Sequence, residues 1–319
     1  MSGSFLIQLL LQVWLPIALL VAAGGLWTRY RPQIPADRLR QDLNRLVVDV
    51  LAPPLLFALS AQAPITPELL SVPLITAIGI GIGFAVLYPV LYLSPIGSHL
   101  ARETRAAILL AGIFANVMFM GLPTLGFLFG AAGESYAAFA DVLASTPLLW
   151  IFGVWIATRL GHEQGHDHSH KESLFATVLK LPPIWGFVLG FAVNFSGIDV
   201  DPLVKAARFI GMATVPIMLF TLGLSIPWGN LRPTLPVSIA VGVKLIIAPL
   251  GAWLVARSFA GALGDAGQAG VLEVAMPTMI MAASFADRFN LDVRAAALTA
   301  GLSSLGFLLT LPLWIALLR

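Results

Sequence analysis

Stretches of about twenty predominantly apolar residues recur ten times along this chain, and no other feature of the sequence constrains its fold as tightly. A helix of that length crosses a hydrocarbon core of roughly 30 Å. In lipid every backbone polar group must be satisfied internally, which leaves helices as the spanning element. The pattern predicts spans over 5–27, 41–61, 70–92, 104–128, 135–158, 173–195, 204–226, 234–256, 266–286 and 293–317. Turn-rich connectors such as "RYRPQIPADR", "SPIGSH" and "GALGDAG" separate them. Of the 319 residues only 11% are charged, against about a quarter in a soluble protein. The expected class is therefore an all-α polytopic membrane protein. The N-terminus lacks a basic region and a small-residue cleavage site before Arg29, so it reads as the first span and not as a removed leader. Cysteine is absent, which excludes disulfides, thiolate catalysis and cysteine-based metal sites.

Basic residues mark the cytoplasmic side. They concentrate in the odd-numbered connectors: Arg29, Arg31, Arg38, Arg40 and Arg45 in the first, Arg102 and Arg105 in the third, Arg159 and Lys171 in the fifth, Arg232 in the seventh, and Arg288 and Arg294 in the ninth. The even-numbered connectors have Lys205, Arg208 and Arg257 near them. Both termini are accordingly expected outside an inner (plasma) membrane, with the His-rich fifth connector cytoplasmic.

The two halves echo each other. "PPLLFALS" (Pro53 to Ser60) corresponds to "PIMLFTLGLS" (Pro216 to Ser225), "GLPTL" (Gly121 to Leu125) to "AMPTM" (Ala275 to Met279), and "TPLLW" (Thr146 to Trp150) to "LPLW" (Leu311 to Trp314). Three pairs in one order imply a first five-helix repeat over 1–160, a connector over 161–172 and a second repeat over 173–319. An odd number of spans per half inverts the second repeat. Inverted repeats with interrupted helices at matching positions point to a secondary transporter; the plainer reading is that these prolines are simple kinks.

Five segments carry a resemblance: "NRLVVDVLAPPLLF" (Asn44 to Phe57), "GIFANVMFMGLPTLGFLFG" (Gly112 to Gly130), "LFTLGLSI" (Leu219 to Ile226), "AMPTMIMAASFADRFNLD" (Ala275 to Asp292) and "SSLGFLLTLPLW" (Ser303 to Trp314). In these the chain resembles the auxin efflux carrier family, which includes plant auxin carriers and bacterial malate or malonate permeases. The resemblance implies ten helices in two inverted five-helix repeats, with broken helices 4 and 9 crossing at their midpoints. It also implies a homodimer, and a transport domain of spans 3–5 and 8–10 that moves against a scaffold of spans 1, 2, 6 and 7. The long hydrophilic central loop of the plant carriers has no counterpart here. A more distant resemblance is to the bile acid:sodium symporters, whose sodium-binding segments "ANVM" (Ala115 to Met118), "STPLL" (Ser145 to Leu149) and "EVAM" (Glu273 to Met276) are similar to. Pro277 stands where that family has a glutamine ligand, which implies one sodium site lost and one retained near Asn116, Ser145, Thr146, Glu273 and Met276.

Proline removes a backbone donor and clashes with the preceding turn, so helices are expected to open at Pro123 and Pro277. Exposed helix N-termini there suit a carboxylate and unwound carbonyls suit a cation. Thr124 and Thr278 are expected to cap the half-helices. Asn116, Gly121, Pro123, Thr124, Asp141, Lys244, Pro277 and Thr278 form the expected substrate site. Glu273 is a carboxylate at membrane depth, read as a coupling-ion or proton site or as a structural hydrogen-bonding group. Lys244 has three readings: it neutralises Glu273 or Asp141, attracts the anion, or snorkels to the interface. Asp49 and Asp141 are pathway residues or solvated interfacial carboxylates, and Asn194 reads as structural. His162, His166, His168 and His170 are either weak metal ligands or part of a solvated linker.

The leading expectation is a carrier for a small organic anion, a carboxylate or auxin-like acid, with alternating access of the elevator type. The alternative is a sodium-coupled symporter for a larger amphipathic anion. No cofactor is expected beyond a coupling Na⁺, and the partners are the solute and the bilayer, without nucleic acid. An enzyme is disfavoured because no Gly-x-Ser-x-Gly or His-Glu-x-x-His motif occurs.

Overall fold

A computed structural model describes residues 3–31, 33–161, 181–198, 200–229, 231–260 and 263–318. Those residues are helical throughout apart from turns, connectors and one isolated β-bridge. The helices are α1 (Ile7–Tyr30), α2 (Ala36–Ala61), α3 (Pro67–Leu93), α4 (Arg102–Ile113), α5 (Val117–Leu160), α6 (Pro182–Ser196), α7 (Asp201–Ser225), α8 (Leu235–Phe259), α9 (Asp265–Ala275), α10 (Ala282–Arg288) and α11 (Val293–Leu318). Among the described residues seven helices are long and apolar enough to cross a membrane. The chain is an integral membrane protein. The expected spans over 104–128 and 266–286 are interrupted, and that over 173–195 is described only from residue 181. The histidine tract of the fifth connector, His162 to His170, lies outside the described residues.

The 44 residues of α5 are not one rod. Gly130 adopts φ 64° and ψ −145°, a conformation that L side chains rarely take, and the helix turns back there. A β-carbon on Gly133 would lie 2.5 Å from the carbonyl carbon of Leu125, and the Phe129 and Tyr136 rings meet at 6.2 Å. In a straight helix residues 125 and 133 would be about 12 Å apart.

Small residues let the backbones approach closely, as expected for helices packed in lipid. A β-carbon on Gly223 of α7 would come within 2.9 Å of the Gly25 nitrogen of α1. On the opposite flank Gly186 of α6 packs on the Pro53 backbone of α2. Helices α1, α2, α6 and α7 pack mainly on one another. So do α3, α4, α8, α9, α10 and α11, while the α5 hairpin touches both groups. The candidate site lies where these groups face each other.

Candidate functional site

Two helix breaks build the site. At the first, α4 ends in extended backbone at Phe114 (φ −89°, ψ 124°), and Asn116 (φ −84°, ψ 63°) precedes a π-helical turn over Val117–Gly121. At the second, Met276 is extended (φ −61°, ψ 150°) because a residue before proline is driven out of the helical region. The two extended segments pair. Ala115 and Thr278 form an antiparallel bridge, Asn116 N–H donates to the Pro277 carbonyl at 2.7 Å, and Met279 N–H donates to the Phe114 carbonyl at 3.0 Å. Each break thus satisfies part of the backbone that the other exposes, which the membrane interior requires.

Three details differ from the sequence reading. The first helix opens at Phe114–Asn116, upstream of Pro123, which sits in the first turn of the helical segment Leu122–Ala140. In a first turn the missing N–H of proline has no intrahelical partner to lose. Thr124 is no cap, because its hydroxyl donates to the Met120 carbonyl one turn back at 2.7 Å. Nor does Thr278 cap a helix: α10 starts four residues later, at Ala282. The Thr278 hydroxyl donates to the Ala111 carbonyl at 2.7 Å and fastens the second break onto the end of α4.

A cavity of about 570 Å³ lies beside the paired breaks. Its wall is mostly apolar, with Phe114, Phe119, Trp150 and Phe285 among its residues. Of the predicted substrate and ion residues, Asn116, Asp141, Ser145 and Thr146 line it, and Asp49 joins them. Asn116 and Ser145 are buried, and neither the Asn116 Nδ2 nor the Ser145 Oγ has a hydrogen-bond partner. The N-terminal end of the half-helix that begins at Val117 forms part of the same wall, since Val117, Met118 and Phe119 all line the cavity. An unpaired amide donor and the positive end of a helix dipole therefore share one surface.

The remaining predicted residues lie in the packed layer behind the wall. Glu273 is fully buried, and neither carboxylate oxygen has a hydrogen-bond partner. It rests against Gly121, where a β-carbon would be 2.7 Å from the carboxylate carbon. Asp141 and Lys244 are the charged groups whose fields reach it. Lys244 neither lines the cavity nor snorkels: it is 1% exposed and its ammonium donates to the Val274 carbonyl at 2.6 Å. Met276 is buried, and its N–H donates to the Glu273 carbonyl at 3.2 Å. Asn194 donates to the carbonyls of Ser60 and Ala63 at 3.0 and 2.9 Å and ties α6 to the end of α2.

The structure also brings in residues that sequence reasoning assigned to topology or left out. Arg45 and Arg288 line the cavity, and the Arg288 guanidinium sits 5.1 Å over the Trp150 ring. Ser284 of α10 accepts hydrogen bonds from Arg40 and from Asn44 Nδ2, the latter at 3.2 Å, so α2 is joined to α10 along one edge of the cavity. The signal for Arg40 was its place in "ADRLRQDLNRL", an amphipathic start to a spanning helix.

Interrupted helices beside a cavity recur in membrane transporters, and the comparisons with known proteins point to the same broad class. The family model for membrane transport proteins matches residues 10–315. The chain belongs to the membrane transport protein family. A transporter of Methanothermobacter thermautotrophicus, itself described as uncharacterized, is 27% identical over 280 residues, covering 85% of this chain and 87% of its own. An uncharacterized transporter of Methanocaldococcus jannaschii is 23% identical and covers 69% of this chain and 71% of its own. One from Escherichia coli K12 is 26% identical, covering 62% and 66%. This membrane transport protein thus shares with them between 62% and 85% of its length.

Proposed function

We propose that this membrane transport protein is a secondary carrier for a small organic anion, a carboxylate or auxin-like acid, and that the anion binds in the cavity beside the helix breaks. The observation that carries this reading is the buried Asn116 amide, whose Nδ2 is unpaired at the N-terminal end of the half-helix beginning at Val117. A carboxylate accepts from such a donor and is favoured by the dipole. Arg45 and Arg288 supply positive charge on the same wall, and the aromatic residues supply an apolar contact for the rest of the solute. Polar groups in a membrane site of this kind are expensive unless a ligand or partner satisfies them.

The proposed architecture is ten spans in two inverted repeats, 1–160 and 173–319, with the broken fourth and ninth helices crossing at the Ala115–Thr278 bridge. Its elevator-type movement carries α3–α5 and α8–α11 against α1, α2, α6 and α7. The division of packing between those two groups supports it. Both termini are proposed outside an inner membrane, and the working form a homodimer.

A coupling cation, Na⁺ or a proton, is proposed at Asn116, Ser145, Thr146, Glu273 and Met276. The residues fit that use: the Ser145 hydroxyl and both Glu273 oxygens are buried acceptors without partners. This observation also favours a second reading, a sodium-coupled carrier of a larger amphipathic anion against the aromatic wall. One experiment addresses both. Purified protein is heated in detergent with dicarboxylates, monocarboxylates, aromatic acids or bile-acid-like amphiphiles, each with and without Na⁺. A bound ligand raises the midpoint in proportion to its binding free energy. The small-anion reading expects a shift with one of the first three classes that Asn116→Leu abolishes. A shift with the amphiphiles alone selects the second reading, and no shift with any anion overturns both.

A further inference from the structure

The cavity does not use Lys244, a fully buried basic side chain within a spanning helix, yet its ammonium is held in a built seat. The seat starts from the second break. In an unbroken helix the Val274 carbonyl would accept from the N–H of residue 278. Here that N–H is diverted to the Ser303 hydroxyl at 3.0 Å, and Pro277 has no N–H to offer. The Val274 carbonyl is one of the last in α9, at the negative end of its dipole, and it is freed inside the protein. Lys244 reaches it from a π-helical turn of α8, Val243–Ile247. The Leu245 carbonyl in that turn is taken by the Trp314 indole N–H of α11 at 2.8 Å, so the turn is fixed from its far side. Gly79 of α3 presses on the Val274 side chain and closes the seat from a third direction. Glu273 precedes Val274 in the chain; its carboxylate is fully buried, has no hydrogen-bond partner and lies against Gly121, without ion-pair contact to the ammonium.

A freed carbonyl at the C-terminal end of an interrupted membrane helix is the kind of group that coordinates a monovalent cation. We infer that the Lys244 ammonium is a tethered cation filling such a site permanently, so that this seat binds no free ion and the negative end of the α9 dipole is balanced at every step of transport. Lys244 is therefore a positioning residue for the break and not a contact for the anion. The inference is independent of which anion is carried and of whether Na⁺ binds at Asn116, Ser145, Thr146, Glu273 and Met276.

The test empties the seat. Lys244→Ala leaves the Val274 carbonyl unpaired, with the space of the removed ammonium beside it. Its thermal midpoint and its uptake in proteoliposomes are measured at constant ionic strength in choline, sodium or methylammonium chloride. Choline serves as the cation too large to enter. In choline the variant is expected to lose at least about tenfold in uptake, as for a buried charged hydrogen bond removed on one side. Methylammonium or Na⁺ is expected to restore most of that loss and to raise the midpoint saturably. The wild type should show no methylammonium response, whatever its Na⁺ response. Equal behaviour of the variant in all three salts overturns the inference, as does a wild-type response to methylammonium of the same size. If Lys244→Ala does not fold, Lys244→Ala/Glu273→Gln removes both charges. The inference then expects folding to return without any cation response, and continued failure to fold overturns it.

Discussion

The Glu273 carboxylate rests on the bare α-carbon of Gly121, so two residues from the separate broken helices meet with no room for a β-carbon between them. The consequence is that the acidic group of one break is positioned by the absence of a side chain at the other. Gly121→Ala is expected to lower stability by about 1–3 kcal/mol, the usual cost of forcing a methyl group into a packed site. Because the methyl would displace the carboxylate itself, Gly121→Ala/Glu273→Ala should regain most of that stability. Thermal unfolding of the four proteins of the cycle reads the coupling, and simple additivity would show that the contact is not what constrains position 121.

At one edge of the cavity α2 and α10 are joined through Ser284, which accepts from both Arg40 and Asn44. Gln41 adds a longer contact to Asp287 at 3.4 Å. Arg40 is 3% exposed, so its hydrogen bond is shielded from solvent. Breaking it with Ser284→Ala should favour the state in which this edge is open. A net hydrogen bond of about 1 kcal/mol corresponds to roughly a fivefold change in that population. The chain has no cysteine, so a single Val48→Cys on the cavity wall gives a clean reporter. Maleimide labelling at that cysteine should accelerate about fivefold in the Ser284→Ala background, and an unchanged rate would mean that the contact does not hold the edge shut.

The other end of α2 carries a matching contact. Arg208 of α7 pairs with Glu134 just past the Gly130 turn of α5, and the neighbouring Ser135 hydroxyl donates to the Leu59 carbonyl of α2 at 3.4 Å. Both partners of the ion pair are partly exposed, so its strength is limited by solvent screening. Arg208→Ala is expected to change the Val48→Cys labelling rate in the opposite direction from Ser284→Ala, and by less. A change in the same direction would show that the two contacts do not hold opposite states.

Much of this arrangement can be read in the sequence because membrane burial penalises every polar group in a span. Asn116 and Glu273 stand out in apolar runs for that reason, and Pro277 marks its break correctly since the residue before a proline cannot stay helical. Pro123 misleads by the same rule. A proline in a first helical turn costs nothing, and the real opening at Phe114–Asn116 is stabilised by Pro277 and Met279, more than 160 residues away in the chain. Lys244 could be seen to be buried but not what it bonds, as Val274 becomes free only when Thr278 is drawn to Ser303. Arg40 reads as a topological charge until α10 arrives from 244 residues away to cover it. Contacts made by a long-range pairing leave no local pattern.

Arg288 tests the anion reading most directly. Its guanidinium lies over the Trp150 ring at 5.1 Å, on the cavity wall that also holds Asn116. Stacking fixes the plane of the guanidinium and leaves its N–H edge free for a carboxylate, a geometry that lysine does not reproduce. If the anion binds there, Arg288→Ala should raise KM about tenfold or more, the effect of one lost charged hydrogen bond. Arg288→Lys should recover only part of that, because the point charge remains while the fork is lost. Arg288 is exposed, so its long-range attraction is screened by salt while a direct hydrogen bond is screened much less. Uptake kinetics at low and high ionic strength separate the two: a KM difference that persists in high salt indicates direct contact. A difference that vanishes in high salt reduces Arg288 to a steering charge, and an unchanged KM at both salts removes it from the anion's path.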